Sequence, residues 1–129
     1  MQLLTKGSNQ IILDAYNANP SSMAVAIENF LQLDNANKVM ILGDMFELGD
    51  ESLEEHKAIV AMLSKDKNVK CYFVGSAFYE SKIEKDNFWF YDTFESFSDD
   101  LSKIKFDNST ILIKGSRGMA LERTLGFMD

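Results

Sequence analysis

The densest set of chemically useful side chains lies in Asp14-Ala15-Tyr16-Asn17-Ala18-Asn19-Pro20, where a carboxylate, a phenol and two amides crowd into one short stretch. A carboxylate accepts hydrogen bonds and donates none, which suits the hydroxyls of a sugar. A second set is Gly43-Asp44, and a third is Lys114-Gly115-Ser116-Arg117-Gly118. Glycines let backbone N–H groups approach a ligand closely. An arginine grips a carboxylate with two parallel bonds. Together these residues suggest binding of a hydroxylated ligand and of a small carboxylate. None of them is predicted to be catalytic.

The absences are as informative. No stretch matches G-x-x-x-x-G-K-[ST], the loop that cradles nucleotide phosphates, and no G-x-G-x-x-G occurs. Gly115 to Gly118 is too short for the phosphate loop and lacks its lysine. There is one histidine, His56, one cysteine, Cys71, and no tight cluster of acids, so no metal site is expected. His56 reads as a partly buried histidine bonded to a backbone group. Trp89 reads as core, and Ser52 as a helix cap.

These residues need elements to hold them. Gln2–Thr5 and Gln10–Leu13 flank Lys6-Gly7-Ser8-Asn9 and read as a hairpin with a four-residue loop. Asn19 before Pro20 signals a helix start. That helix is expected over Pro20 to Leu33, with Met23, Ala24, Ile27, Phe30 and Leu31 on one face. Lys38–Leu42 is the next apolar strand. Ser52 and Glu55 fit a capping box, and Leu53, His56, Ile59, Val60 and Leu63 share the face of the helix behind it. Further strands are expected at Val69–Val74, Phe88–Tyr91 and Thr110–Ile113. Short helices are expected near Phe78–Ile83, after Thr93, and around Met119–Leu125.

Strands alternating with helices predict an α/β fold: a mostly parallel, Rossmann-like sheet with helices on both faces and one antiparallel N-terminal hairpin strand. Parallel strands align their C-terminal ends on one edge, where ligands bind in open α/β sheets. That edge would receive Asp14, Gly43-Asp44, Gly75-Ser76 and Lys114 to Arg117. Lys114 and Arg117 would then flank a helix N-terminus, which favours anions.

Composition sets the outer limits. The 129 residues suffice for a single domain, 1–129, with its own core. The chain is 46% hydrophobic and 26% charged, an ordinary globular balance. A net charge of −7 argues against a nucleic-acid surface, which needs clustered Lys and Arg. No apolar run approaches the ~20 residues of a membrane span. Met1 precedes a strand-like segment rather than a basic and then apolar leader, so no signal peptide is expected. The lone Cys71 in an apolar run reads as a reduced, buried thiol of a cytoplasmic protein.

Three stretches also carry a family resemblance: Asp14–Pro20 with Ser22-Met23; Gly43–Gly49 with Ser52 and His56; and Lys114–Met119. In order and spacing they resemble the C-terminal domain of Mur ligases. The branch they match is the one that adds D-alanyl-D-alanine to UDP-N-acetylmuramoyl-tripeptide in peptidoglycan precursor synthesis. The resemblance implies the last of three domains. The first holds the UDP-sugar, and the central one carries the ATP phosphate loop and magnesium ligands. ATP and Mg2+ would thus be bound mainly outside this chain. In the family, ATP phosphorylates a carboxylate, an amine attacks the acyl phosphate, and the last domain closes over the central one. Carried over by position, Asp14 would face the ATP ribose, with Tyr16, Asn17 and Asn19 shaping that turn. Lys114, Ser116 and Arg117 would lie near the incoming dipeptide, and Gly43 and Asp44 on the neighbouring loop. The chain would be monomeric, would be either an excised domain or a stand-alone relative, and would be inactive alone. The alternative from a different class is a receiver-type phosphoacceptor domain, which also sets acids and a lysine at strand ends, as Asp14, Asp44 and Lys114 would be.

Overall fold

In the computed structural model, which describes residues 1–128, apolar runs and amphipathic segments alternate along the chain. A hairpin of β1 (Gln2–Lys6) and β2 (Asn9–Asp14) leads into α1 (Pro20–Leu31). Then come β3 (Lys38–Gly43), α2 (Ser52–Leu63), β4 (Lys70–Val74), α3 (Ser76–Glu80), β5 (Phe88–Tyr91), α4 (Phe94–Leu101) and β6 (Thr110–Lys114). The strands form one six-stranded sheet in the order β1-β2-β6-β3-β4-β5. Only β1 is antiparallel to its neighbour. This is the fold class the sequence predicts.

The order follows from handedness. From β2 through β3 and β4 to β5 the chain works across the sheet in one direction, and right-handed crossovers put α1, α2 and α3 on one face. The return from β5 to β6 runs the other way, so α4 packs on the opposite face. Alternate strand residues feed the two cores. Met40, Leu42, Cys71, Phe73 and Leu112 meet α1 to α3, while Val39, Ile41, Tyr72, Ile111 and Ile113 meet α4. Burial on both faces is why these strands read as continuous apolar runs. Leu121, which follows β6, packs with α4, so the chain leaves β6 toward the opposite face from α1 and α2. The crevices beside the end of β6 are therefore the switch point of the sheet.

Local chemistry explains the element ends. Asn19 caps α1: its Oδ1 accepts the Ser22 N–H at 2.9 Å, and Ser22 Oγ accepts the Asn19 N–H at 3.1 Å. Pro20 takes the first helical position, where its missing N–H is not needed. Burial pushes the Cys71 thiol far above its ordinary range, which leaves it unreactive. Among the described residues no helix is long and apolar enough to cross a membrane.

Several expectations are corrected. The hairpin pairs Lys6 with Asn9, so its loop is the two residues Gly7-Ser8, with Gly7 at φ +60°. Ser52 is not a cap. A 3-10 turn, Gly49–Glu51, runs straight into α2, so Ser52 already has helical angles and no side chain caps the start. Leu53 is exposed rather than on the buried face. Helix α3 starts and ends earlier than expected. Trp89 is 36% exposed, stacked on Tyr72 at the sheet edge, because β5 is the last strand and one of its sides has no neighbour. Among the described residues no α-helix follows β6. Two 3-10 segments, Arg117–Met119 and Leu121–Phe127, are separated by Ala120 at φ +50°. That left-handed residue, with Gly118 and Gly126 nearby, breaks the helical run.

Replacing Asn19 by Ala should lower stability by about 1 kcal/mol, since the Ser22 N–H at the start of α1 loses its acceptor. Urea melts of the two proteins measure this. Equal midpoints would show that the cap contributes nothing.

Candidate functional site

The site begins with two residues that end neighbouring strands. Asp14 closes β2, Lys114 closes β6, and they are direct register partners. Strand alternation puts both side chains on the face of Ile12 and Leu112, beneath α1. The Lys114 ammonium donates to Asp14 Oδ2 at 2.8 Å and to the Asn17 carbonyl at 3.0 Å. The lysine side chain is 2% exposed and that of Asp14 is 26% exposed. Asp14 Oδ1 accepts no hydrogen bond among the described residues, and Asp14 lines a cleft of about 430 Å³ with Leu13, Tyr16, Arg117 and Glu122.

Tyr16 and Arg117 line the same cleft. The guanidinium carbon lies 4.8 Å from the centre of the Tyr16 ring, a cation–π arrangement, with Nη1 3.4 Å from the phenol oxygen. Both side chains are exposed. Arg117 opens a 3-10 turn of three residues, so no helix dipole supports it, and its charge alone draws anions. Asn17 contributes its carbonyl to Lys114, while the Asn19 side chain is committed to α1.

A second group lies at the ends of β3, β4 and β6. The Asp44 carboxylate is buried and accepts the N–H groups of Ala77 and Phe78 at 2.9 and 3.0 Å. Gly75 makes room for it: its φ is +128°, and a Cβ there would lie 2.3 Å from Asp44 Cγ. The Asp44 carbonyl accepts the Ser116 N–H at 3.0 Å, and Ser116 Oγ accepts the Phe46 N–H at 2.7 Å. A Cβ on Gly115 would come within 3.0 Å of Gly43 Cα, so only glycine permits this approach of the two loops.

His56 completes the frame from α2. Met45 N–H donates to Nε2 at 2.9 Å, so the ring hydrogen sits on Nδ1 and is donated to the Ser52 carbonyl at 2.7 Å. Nε2 is 3.9 Å from Asp44 Oδ1, but as an acceptor it forms no ion pair there. The ring is wholly buried, edge-on to Phe78, which makes it more enclosed than its sequence pattern suggests. Among the described residues no His, Cys, Asp or Glu side chains gather as metal ligands would.

The structure thus brings Asp14, Tyr16 and Arg117 together around one cleft, with Lys114 buried behind Asp14. It interlocks Gly43, Asp44 and Ser116 in a separate group at the ends of β3 and β6. Sequence reasoning named Asp14 and Lys114 but missed their pairing, because strand order is not written in local sequence. It also missed Phe46, which covers Gly118 so closely that a Cβ there would lie 2.6 Å from the ring.

Loops meeting at the switch point of a doubly wound sheet, with Asp14 and Arg117 lining one cleft, define an α/β module of the kind that binds ligands at its strand ends. The profile of the Mur ligase glutamate ligase domain matches residues 1–117, and the chain belongs to that family. Among curated relatives, the UDP-N-acetylmuramoyl-tripeptide--D-alanyl-D-alanine ligase of Bacillus subtilis is 37% identical over 92% of this chain and 27% of that protein. The enzyme of the same name from Rickettsia prowazekii is 32% identical over 96% of this chain and 30% of that protein. The chain therefore spans less than a third of these relatives. In solved structures, MurF from Acinetobacter baumannii superposes with a TM-score of 0.82 at 28% identity, over 97% of this chain and 29% of that one. The MurF ligase from Thermotoga maritima in complex with ADP gives 0.74 at 26%, over 97% and 29%.

Changing Gly75 to Ala should destabilise the protein by about 1–3 kcal/mol from crowding alone, because the new methyl meets the Asp44 carboxylate. Gly7, whose left-handed turn has open space, should tolerate Ala at a cost of only about 1 kcal/mol. Denaturant titration compares them. A Gly75 variant no worse than the Gly7 variant would contradict the packing described.

Proposed function

We propose that this chain is the C-terminal domain of an ATP-dependent ligase that joins D-alanyl-D-alanine to UDP-N-acetylmuramoyl-tripeptide, and that it supplies ribose and dipeptide contacts. The observation that carries this reading is the cleft at the end of β2 and β6. Its lining includes the Asp14 carboxylate, one oxygen of which accepts no hydrogen bond among the described residues, and the exposed Arg117 guanidinium, which are acceptors and donors for a sugar hydroxyl and a carboxylate. The names of the relatives support the choice of substrates. Asp14 accepts from the ATP ribose, with Tyr16, Asn17 and Asn19 forming the turn around it. Arg117 and Ser116 face the dipeptide, Gly43 and Asp44 hold the neighbouring loop, and Lys114 joins the two sides.

The residues present do not fit the triphosphate or its magnesium: no phosphate loop and no gathered acids occur among the described residues. Those groups belong to the central domain in this reading, with the UDP-sugar on the N-terminal domain. The whole enzyme works as a cytoplasmic monomer that closes around its substrates. The receiver-type alternative loses ground on the family match. It is also weakened at Asp44, whose carboxylate is buried and already accepts two backbone donors.

Two outcomes test the reading. In the full-length enzyme, Arg117→Ala should raise the apparent KM for D-alanyl-D-alanine roughly tenfold or more, as loss of a charged hydrogen bond does, and that for ATP far less. Equal changes in both would make Arg117 a general surface charge. Residues 1–129 alone should release no phosphate from ATP with magnesium, dipeptide and UDP-muramoyl tripeptide, and adding the missing domains should restore turnover. Turnover by the chain alone would mean that it holds a phosphate site of its own.

A further inference from the structure

Sequence order sets Lys114 beside Arg117, and both read as cations for one carboxylate. The structure separates them. Arg117 is exposed against Tyr16, whereas Lys114 is buried and points into the β2–α1 turn. Its two hydrogen bonds go to Asp14 Oδ2 and to the Asn17 carbonyl. We propose that Lys114 is a positioning residue for the nucleotide ribose, acting through Asp14, whose charge it offsets so that this carboxylate accepts from neutral hydroxyls. The proposal rests on the reading of Asp14 as the ribose acceptor and adds how that acceptor is tuned.

A lone carboxylate in a cleft attracts metal ions and ammonium groups. Here an ammonium 2.8 Å away offsets its charge, so the remaining acceptor capacity suits neutral O–H donors. Oδ2 is occupied, so the ligand meets Oδ1, whose two lone pairs match two adjacent hydroxyls. Finally, both partners end strands of the same sheet in direct register, so the carboxylate is aimed by the sheet and not by a loop. The second bond, to the Asn17 carbonyl, fixes the turn that carries Tyr16. Nothing in this geometry turns the Lys114 ammonium toward Arg117.

The test uses the full-length enzyme and compares ATP with 2′,3′-dideoxy-ATP, which lacks both hydroxyls. The ribose preference is the ratio of their KM values, expected to be roughly 10- to 150-fold for the natural protein. Asp14→Asn should reduce it to about threefold or less, which tests the underlying reading separately. Lys114→Met should reduce it comparably while moving the KM for D-alanyl-D-alanine by less than about threefold. The double variant Asp14→Asn/Lys114→Met removes the buried ammonium together with its counter-ion, so it serves where Lys114→Met alone does not fold. It should come within about threefold of Asp14→Asn in both constants, because Lys114 acts on the ligand chiefly through Asp14 and only secondarily through the turn held by its bond to the Asn17 carbonyl. A natural ribose preference in Lys114→Met would overturn the proposal. So would a dipeptide KM raised about tenfold in the double variant over Asp14→Asn, which would place Lys114 on the dipeptide. If Asp14→Asn keeps its ribose preference, the underlying reading fails, and this inference fails with it.

Discussion

The contact on which the site depends is the ion pair between Asp14 and Lys114. Two adjacent parallel strands end on opposite charges in direct register, at the switch point of the sheet. A buried ammonium without a partner is costly, and breaking a buried pair costs about 3–5 kcal/mol. The exposed edge of Asp14 brings this pair below that range, since solvent screens it. The pair nonetheless decides geometry: it fixes one carboxylate oxygen, leaves the other without a donor among the described residues, and ties the turn after β2 to the end of β6.

The second group uses charge differently. Asp44 is turned inward, where it accepts the free N–H groups at the start of α3, and Gly75 leaves it the space. His56, Ser116 and the paired glycines then fasten the β3 loop to α2 and to the β6 loop. Glu47 sits at φ +64°, an uncommon angle for a residue with a Cβ, just beyond these bonds. One carboxylate thus faces a cleft and the other holds the frame, although both follow strands of the same sheet.

Much of this was legible in the sequence, and the reasons are physical. Strands buried on both faces announce themselves as apolar runs, and Asn19-Pro20 announces the start of α1 because capping is local chemistry. Ser52 misled because a cap needs extended angles, and the preceding 3-10 turn denies them. The expected last helix failed for the same kind of reason, at left-handed Ala120. Trp89 was placed in the core because composition does not say which strand lies at an edge. The site residues were visible as types, but the pairing of Asp14 with Lys114 spans 100 residues and depends on β6 inserting beside β2. That insertion is a tertiary fact with no local signature.

No phosphate loop occurs in this chain, so under the proposed function the domain offers a ribose edge and a carboxylate anchor and the rest of the nucleotide is held elsewhere. The account stands or falls on the contact at Asp14. A crystal structure of the full-length protein with a non-hydrolysable ATP analogue tests it most directly. The account predicts a ribose hydroxyl within about 2.5–3.0 Å of Asp14 Oδ1, with Lys114 still bound to Oδ2. A ribose held elsewhere, or Lys114 turned away from Asp14 to the dipeptide, would contradict it.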